Sequence, residues 1–391
     1  MPIRSQMILS VVIVSYNVKF FLEQCLSSLK KAVDGSALLC GQTEIFIIDN
    51  NSSDGTLDFL APLYPGFRFI RNGENLGFAK ANNQALPLCT GEFILFLNPD
   101  TILAEDSLDN CLSFFRITPT AGALGVHMID GTGSYLKESK RGFPGPLTSF
   151  YKMTGLTNLF PHSKKFSSYY LGHLDEWKSH EIDIISGAFM MIHKKVLDKT
   201  GGFDERFFMY GEDIDLSYRI SLAGYQNYYF AGTTILHFKG ESTRKDLRYV
   251  KMFYAAMNLF MKKHFNDGRS SLQIFFLKSG VGIHRILTAF RLPFRKLIHK
   301  PPGPSIVFIR GDPNLAADLK RKLIGKKIHV TEKENDGEEI IYCEGPLQSW
   351  KSLISEIIKN KFPVKYKFHG AHTHAAVGSA SSRYPGEILE I

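Results

Sequence analysis

Ile8-Leu9-Ser10-Val11-Val12-Ile13-Val14 is apolar except for Ser10 and rich in β-branched side chains. Such a run suits a parallel strand buried on both faces, because covering helices leave neither face in water. It ends at polar Ser15-Tyr16-Asn17, after which Leu22, Cys25, Leu26 and Leu29 recur at helical spacing. Glu44-Ile45-Phe46-Ile47-Ile48 reads as a second strand. It stops at Asp49, and Asn50-Asn51-Ser52-Ser53-Asp54-Gly55-Thr56 then supplies a turn and helix-capping side chains. Phe67 to Ile70 and Phe93 to Leu97 are two more strands, with a helix from about Phe78 to Leu86 between them. This alternation predicts an α/β sheet, whose ligands bind beyond the carboxyl ends of the strands.

The pattern loosens further along. Residues 132–182 are rich in Gly, Pro, Ser, Lys and Tyr without a period, and read as loops covering a site or contacting an acceptor. A strand is expected from Ile182 to Ile192. Gly211-Glu212-Asp213-Ile214-Asp215 then opens a helix in which Ile214, Tyr218 and Leu222 share a face and Gly224 marks the end. Pro301-Pro302-Gly303-Pro304 marks a boundary. Beyond it, strands near Ser305 to Ile309, Ile328 and Ile340, with helices near Asn314 to Leu323 and Leu353 to Lys359, suggest a small α/β unit. The expected organisation is a large domain over 1–265, a basic amphipathic segment over 266–300 and the small unit over 301–391. His369, His372 and His374 read as exposed loop residues rather than metal ligands, and no G-x-G-x-x-G follows the strand near Ser305.

The net charge of +9 is uneven. Residues 1–250 hold 24 Lys and Arg against 26 Asp and Glu, whereas 251–300 hold 10 against 1. A near-neutral large domain argues against duplex nucleic acid as partner. Between Leu272 and Ile298, Phe276, Ile283, Leu287, Phe290 and Phe294 alternate with Lys278, Arg285, Arg295 and Lys296. That segment suits either peripheral contact with an anionic membrane or a helix packed on the protein. Five widely spaced cysteines without a C-x-x-C pair point to reduced thiols. The N-terminal apolar run is too short for an export signal, so the expected location is cytoplasmic, peripheral on the inner face of the cytoplasmic membrane.

The candidate chemistry sits at strand ends. Tyr16 can stack on a base and Asp49 can accept from its N–H or from a ribose hydroxyl, although either residue alone would more readily be strand-end packing or a cap. Asn98-Pro99-Asp100 ends the fourth strand. A carboxylate there can bind Mg²⁺ or Mn²⁺ together with diphosphate oxygens, with His237 completing the coordination. Taken singly, the tripeptide reads as a turn and the histidine as a core residue. Glu212 and Asp213, at a helix N-terminus, are suited to deprotonating an acceptor hydroxyl, and three acidic residues in four positions exceed what a cap requires.

The ordered set Val11-Val12-Ile13-Val14-Ser15-Tyr16-Asn17, Ile48 to Gly55, Asn75-Leu76-Gly77-Phe78-Ala79 with Asn83, Leu97-Asn98-Pro99-Asp100, Ser186-Gly187-Ala188, Gly201 to Glu205 and Phe208 to Asp213 resembles glycosyltransferase family 2, in its rhamnosyltransferase-like members. The resemblance spans about residues 7–265. It implies a GT-A fold with a mixed central sheet and an inverting, metal-dependent hexosyltransferase. A sugar, rhamnose among the candidates, would pass from a nucleotide-diphosphate sugar to a saccharide or lipid-linked acceptor in cell-surface polysaccharide synthesis. By this resemblance the donor site draws on Ser15, Tyr16, Asn17, Asp49, Asn51, Gly77, Phe78, Ala79, Asn83, Asn98 and Asp100. Asp100 and His237 would hold Mg²⁺ or Mn²⁺, and Asp213, with Glu212 beside it, would act as base. Asn98 stands where the family's D-x-D element begins with Asp. A sugar nucleotidyltransferase would need a Gly-rich basic loop after the first strand, which Ser15-Tyr16-Asn17-Val18 is not. A non-catalytic scaffold on the same fold would not need Asp100, Glu212, Asp213 and His237 together.

Overall fold

A computed structural model describes residues 7–145, 147–148, 151, 154–239, 247–265, 306–359, 364–379 and 386–391. The basic segment 266–300 lies outside the described residues. The first sheet contains β1 (Leu9–Ser15), β2 (Thr43–Asp49), β3 (Arg68–Arg71), β4 (Phe93–Leu97), β5 (Thr101–Ile102), β6 (Ala121–Ile129), β7 (His180–Ile182), β8 (Phe189–His193) and β9 (Gln226–His237). Its order is β3-β2-β1-β4-β8-β6-β9-β5, with β7 pairing on β9. The pairs β1–β2, β1–β4, β2–β3 and β6–β9 are parallel, while β8 runs antiparallel to both β4 and β6. The sheet is therefore mixed, as expected for the GT-A fold.

All seven residues of β1 are buried, because the strand has a helical layer on each face. Val11 and Ile13 pack with Leu22, Cys25, Leu26 and Leu29 of the helix Lys19–Asp34. Val12 and Val14 face Ala79, Ala81 and Ala85 of the helix Phe78–Ala85. The alternation of Cβ directions along a strand thus divides one apolar run between two cores.

The strand expected over Ile182 to Ile192 is instead two strands. Ile184 makes a single bridge to Arg141, and Ile185 donates to Ser217 Oγ at 3.1 Å. Phe189 N then turns back onto Ser186 O at 3.3 Å, so the chain leaves β7 and re-enters the sheet as β8.

The second sheet contains β10 (Val307–Gly311), β11 (Val330–Thr331), β12 (Glu339–Glu344), β13 (Lys365–Gly370), β14 (Ala375–Gly378) and β15 (Glu387–Glu390), in the order β11-β10-β12-β13-β14-β15. Its helices, Pro313–Gly325 and Trp350–Lys359, extend the expected elements by one to three residues at their ends. The two sheets share one apolar cluster. Val18, Phe20, Phe21, Ile102 and Phe238 pack with Trp350, Leu353, Phe368 and Val377. Buried Gln24 is fully used across this junction: Nε2 donates to Thr373 Oγ1 and the Ala375 carbonyl, and Oε1 accepts from Gly370 N. Glu105 accepts from Trp350 N and Lys351 N, capping the helix Trp350–Lys359 from the other sheet.

The expectation of exposed loop histidines holds for His372 and His374, which lie exposed in the turn between β13 and β14, and is corrected for His369. His369 lies on β13, only 3% exposed, bonded to Thr373 and the Ala375 carbonyl. His374 donates its backbone N–H to Glu23 at 3.0 Å, and its Nδ1 lies 2.5 Å from the same buried carboxylate. Both serve the junction. All five cysteines are free thiols, and only Cys40 is exposed.

Candidate active site

A cleft of about 340 Å³ opens beyond the carboxyl ends of β1 and β4. Val14 and Tyr16 follow from β1, Asn50 from β2, Asn98-Pro99-Asp100 from β4, and His237 from β9. Asp213 and Glu212, at the first turn of the helix Glu212–Leu222, also line it.

At the β4 end, Asn98 N donates to Ala188 O at 2.9 Å, and Phe238 N donates to Asp100 O at 3.0 Å. These backbone bonds bring β8 and β9 to the tripeptide and set His237 Nε2 3.4 Å from Asp100 Oδ1 and 3.3 Å from Asn98 Nδ2. A carboxylate and an imidazole side by side suit a divalent cation whose other ligands are oxygens. Among the described residues no group of three or more His, Cys, Asp or Glu converges to hold a metal. A cation here would therefore take its remaining positions from ligand oxygens. Nearby, Glu138 pairs with Lys239. Burial works against the Glu138 charge, but the ammonium beside it more than offsets this and holds the carboxyl below its ordinary range.

Arg141 Nη2 meets Asp213 Oδ2 at 2.5 Å and also donates to Ile185 O at 3.0 Å. Gly187 N approaches the same carboxylate oxygen at 3.3 Å, and Ile214 N donates to Oδ1 at 2.8 Å. Burial disfavours the Arg141 charge, yet the Asp213 carboxylate and Tyr169 more than compensate, so the guanidinium is locked in its charged form. Asp213 is thus positioned by a cation and two backbone donors.

Glu212 is different. It is buried, and Oε2 has no hydrogen-bond partner. Burial first, and then the neighbouring Asp213 charge, push its carboxyl well above the usual range. Between the unfolded and the raised folded value the native state holds a proton that the unfolded chain has released, so stability falls as pH rises through that window. Glu212→Gln is therefore expected to be more stable than the parent by a margin that widens from about pH 5 to about pH 8. Urea midpoints across that range measure it; a margin that stays constant means Glu212 is ionised in the fold.

The expected acidic cluster divides in two. Glu212 and Asp213 face the cleft, but Asp215 is fully buried on another face of the helix. There it pairs with Arg219 at 2.8 Å and with Lys263 and His264 at 2.7 Å each. It anchors the helix Leu247–His264, so its role is structural rather than a spare charge at a helix end.

Of the expected donor residues, Tyr16, Gly77, Phe78, Asn98 and Asp100 line the cleft. Ser15, Asn17, Asp49, Asn51, Ala79 and Asn83 do not; they build its walls. Asn17 Oδ1 accepts from Ser53 N at 2.7 Å, tying the β1 and β2 loops together, and Asn51 turns the chain at φ 67°. Asp49 Oδ2 accepts from Ser52 N at 3.0 Å, and its buried Oδ1 has no hydrogen-bond partner, as is true of Ser15 Oγ. Ala79 lies in the core, and Asn83 clamps Phe203 through its backbone N and O. Asn50 supplies what motif reading missed. Its amide bonds Asn75, Gly77 O, Asn72 and Leu76 N, shaping the loop that carries Gly77 and Phe78. Gly77 itself has φ 80° and ψ 177°, a region essentially closed to other residues, and a Cβ there would lie 2.4 Å from Phe208 O. Arg141, Glu138, Tyr169, Tyr170 and Lys239 complete the lining, most of them from the aperiodic stretch 132–182.

Residues 10–201 match the family model described as Glycosyl transferase family 2. The N-acetylglucosaminyl-diphospho-decaprenol L-rhamnosyltransferase of Mycobacterium tuberculosis is 29% identical over 250 residues, covering 61% of this chain and 78% of that protein. The rhamnosyltransferase WbbL of Escherichia coli is 27% identical over 205 residues, covering 51% of this chain and 74% of its own. A solved structure of the mannosyltransferase PcManGT from Pyrobaculum calidifontis, in complex with GDP-Man and Mn²⁺, superposes with a TM-score of 0.48 at 17% identity, covering 83% of this chain and 82% of that one. Over residues 10–201, which carry β1 to β8 and much of the cleft lining, the chain matches glycosyl transferase family 2, and it is a glycosyltransferase.

Proposed function

We propose that the chain transfers a hexose, rhamnose by analogy with its relatives, from a nucleoside-diphosphate sugar to a lipid-linked saccharide, with inversion at the anomeric carbon. The observation that carries this reading is that one cleft is lined both by Asp213, held by Arg141, and by Asp100 beside His237. The Asp213 carboxylate takes the proton of the acceptor hydroxyl as its oxygen bonds to the anomeric carbon. The bond from that carbon to the diphosphate oxygen breaks, and its electron pair leaves with the nucleoside diphosphate. Arg141 and Gly187 N keep the base aimed at the acceptor side. Tyr16 offers a ring to the donor base. Asp100 and His237 would hold Mg²⁺ or Mn²⁺, which when bound neutralises charge on the diphosphate.

A lipid-linked acceptor requires approach to a bilayer. Among the described residues no helix is long and apolar enough to cross a membrane. We assign peripheral contact on the cytoplasmic face to the basic segment 266–300, between the transferase domain over 1–265 and the α/β unit over 301–391.

Thermal stabilisation by a panel of nucleoside-diphosphate sugars, with and without Mn²⁺ or Mg²⁺, tests the donor site, because a ligand that binds only the folded state raises the melting temperature. One uridine or thymidine diphosphate sugar is expected to give a rise that is larger with cation, and Asp100→Ala is expected to lose the cation-dependent part. A full shift retained in Asp100→Ala removes that residue from the cation site. No shift with any donor defeats the reading.

A further inference from the structure

A second cleft, of about 470 Å³, lies where β9, the helix Trp350–Lys359 and the loop before β7 meet. At its floor β9 bulges. Val126 of β6 pairs with Phe230 and His127 with Thr234, so Ala231, Gly232 and Thr233 are extra residues on β9. Bulges of this kind commonly re-aim side chains beside functional sites. Thr233 lines the cleft, is 6% exposed, and its Oγ1 has no hydrogen-bond partner.

Over the same cleft stands Trp177, 53% exposed. Its indole is stacked on buried His127 with ring centroids 4.5 Å apart and planes 24° from parallel. His127 is held in turn by Thr234 Oγ1, 3.1 Å from Nδ1. An exposed tryptophan with one face fixed on a buried ring is a preorganised platform, because little side-chain freedom remains to be lost on binding. Of the charged lining residues, Lys351 pairs with Asp106 at 2.6 Å, and Lys359 at the end of the helix adds one positive charge. What remains is hydroxyl and amide groups beside an aromatic surface and the apolar side chains of Ile354 and Ile358. That combination suits a neutral polyhydroxylated ligand, whose C–H faces stack on rings while its hydroxyls find polar partners.

We propose that this cleft is a glycan-binding site for a neutral oligosaccharide, separate from the catalytic cleft and built jointly by both sheets. The choice of ligand class rests on the glycosyltransferase assignment; the site itself rests on Trp177, Thr233 and the bulge. Thr234 and His237 lie three residues apart on β9, about 10 Å along the strand. A chain held at Trp177 is thereby kept near the catalytic cleft, where it raises the local concentration of acceptor.

The two tryptophans of the chain make the test direct, since Trp350 is fully buried and Trp177 is exposed. The full-length protein is titrated with linear oligosaccharides of rhamnose, glucose and N-acetylglucosamine into the millimolar range, following emission and acrylamide quenching. At least one is expected to give a saturable shift and to shield the quenchable tryptophan. By calorimetry, Thr233→Val is expected to bind that glycan about tenfold more weakly and Trp177→Ala not to bind it, while both keep the parent rate of donor hydrolysis. No saturable response to any of the three glycans overturns the proposal, as does binding unchanged in both variants, which would place the glycan elsewhere. A donor-induced thermal shift that persists when glycan binding is absent leaves the catalytic reading standing and defeats only this one.

Discussion

Asp213→Asn is expected to lower turnover by about 10²- to 10⁴-fold, the range a positioned general base contributes, while the dissociation constant for the donor stays within a few-fold of the parent. The amide keeps the shape of the carboxylate and its oxygen can still accept from Arg141 and Gly187 N, while the bond from Ile214 N to the other oxygen is given up. The negative charge that accepts a proton is lost. The structure adds a consequence that the motif alone does not carry. Arg141 is buried, and removing its counter-charge leaves a cation without compensation, so the variant also loses stability. Arg141→Met in the same background should restore stability without restoring turnover. Single-turnover rates, donor calorimetry and urea unfolding on the parent, the single variant and the double variant separate these effects. Near-parental turnover in Asp213→Asn would put the base elsewhere, and donor affinity lost in step with turnover would make Asp213 a binding residue.

The carboxyl-terminal ends of β1, β2 and β4 were legible because each strand is a local apolar run that stops at a polar residue, and the fold puts ligands at those stops. The same locality hid the other half of the site. Arg141 is one basic residue in a Gly- and Pro-rich stretch, and only the tertiary structure shows that it is buried against Asp213. Asn50 was hidden differently: it appeared in a turn motif as a polar filler, yet its amide makes four bonds that shape the Asn72–Gly77 loop. The junction between the sheets was equally hidden. Gln24 and Glu23 lie among the apolar residues of the first helix, and their partners lie some 350 positions away, which no periodicity reports. That Asp215 stands apart from Asp213 follows from helix geometry alone. Residues 213 and 215 of one helix point about 200° apart at 3.6 residues per turn, so two carboxylates at that spacing cannot serve one cleft. Arg219, four residues on, is the i,i+4 partner that marks the buried face.

That difference gives the second large effect, on stability rather than turnover. Asp215→Asn is expected to destabilise the fold by about 3–5 kcal/mol, the cost of removing one partner from a buried ionic cluster. Arg219, Lys263 and His264 all converge on this carboxylate, and only the last turn of the helix Leu247–His264 supplies two of them. Burial opposes the Asp215 charge, but the Lys263, His264 and Arg219 donors outweigh it and hold the carboxyl below its ordinary value. A depressed folded value contributes stability that is present above the unfolded value, about pH 3.9, and is lost as pH falls through the folded one. The deficit of the variant should therefore be largest near neutrality and shrink in acid below about pH 4. Urea unfolding of parent and variant from neutral pH downward reads this directly. A deficit that stays constant into acid would mean that the loss comes from packing rather than charge. A deficit under about 1 kcal/mol at neutral pH would mean that the cluster is solvated enough to be worth no more than a surface pair. Because Asp215 does not line the catalytic cleft, the folded fraction of the variant should keep its turnover, the reverse of what is expected two residues earlier in the same helix.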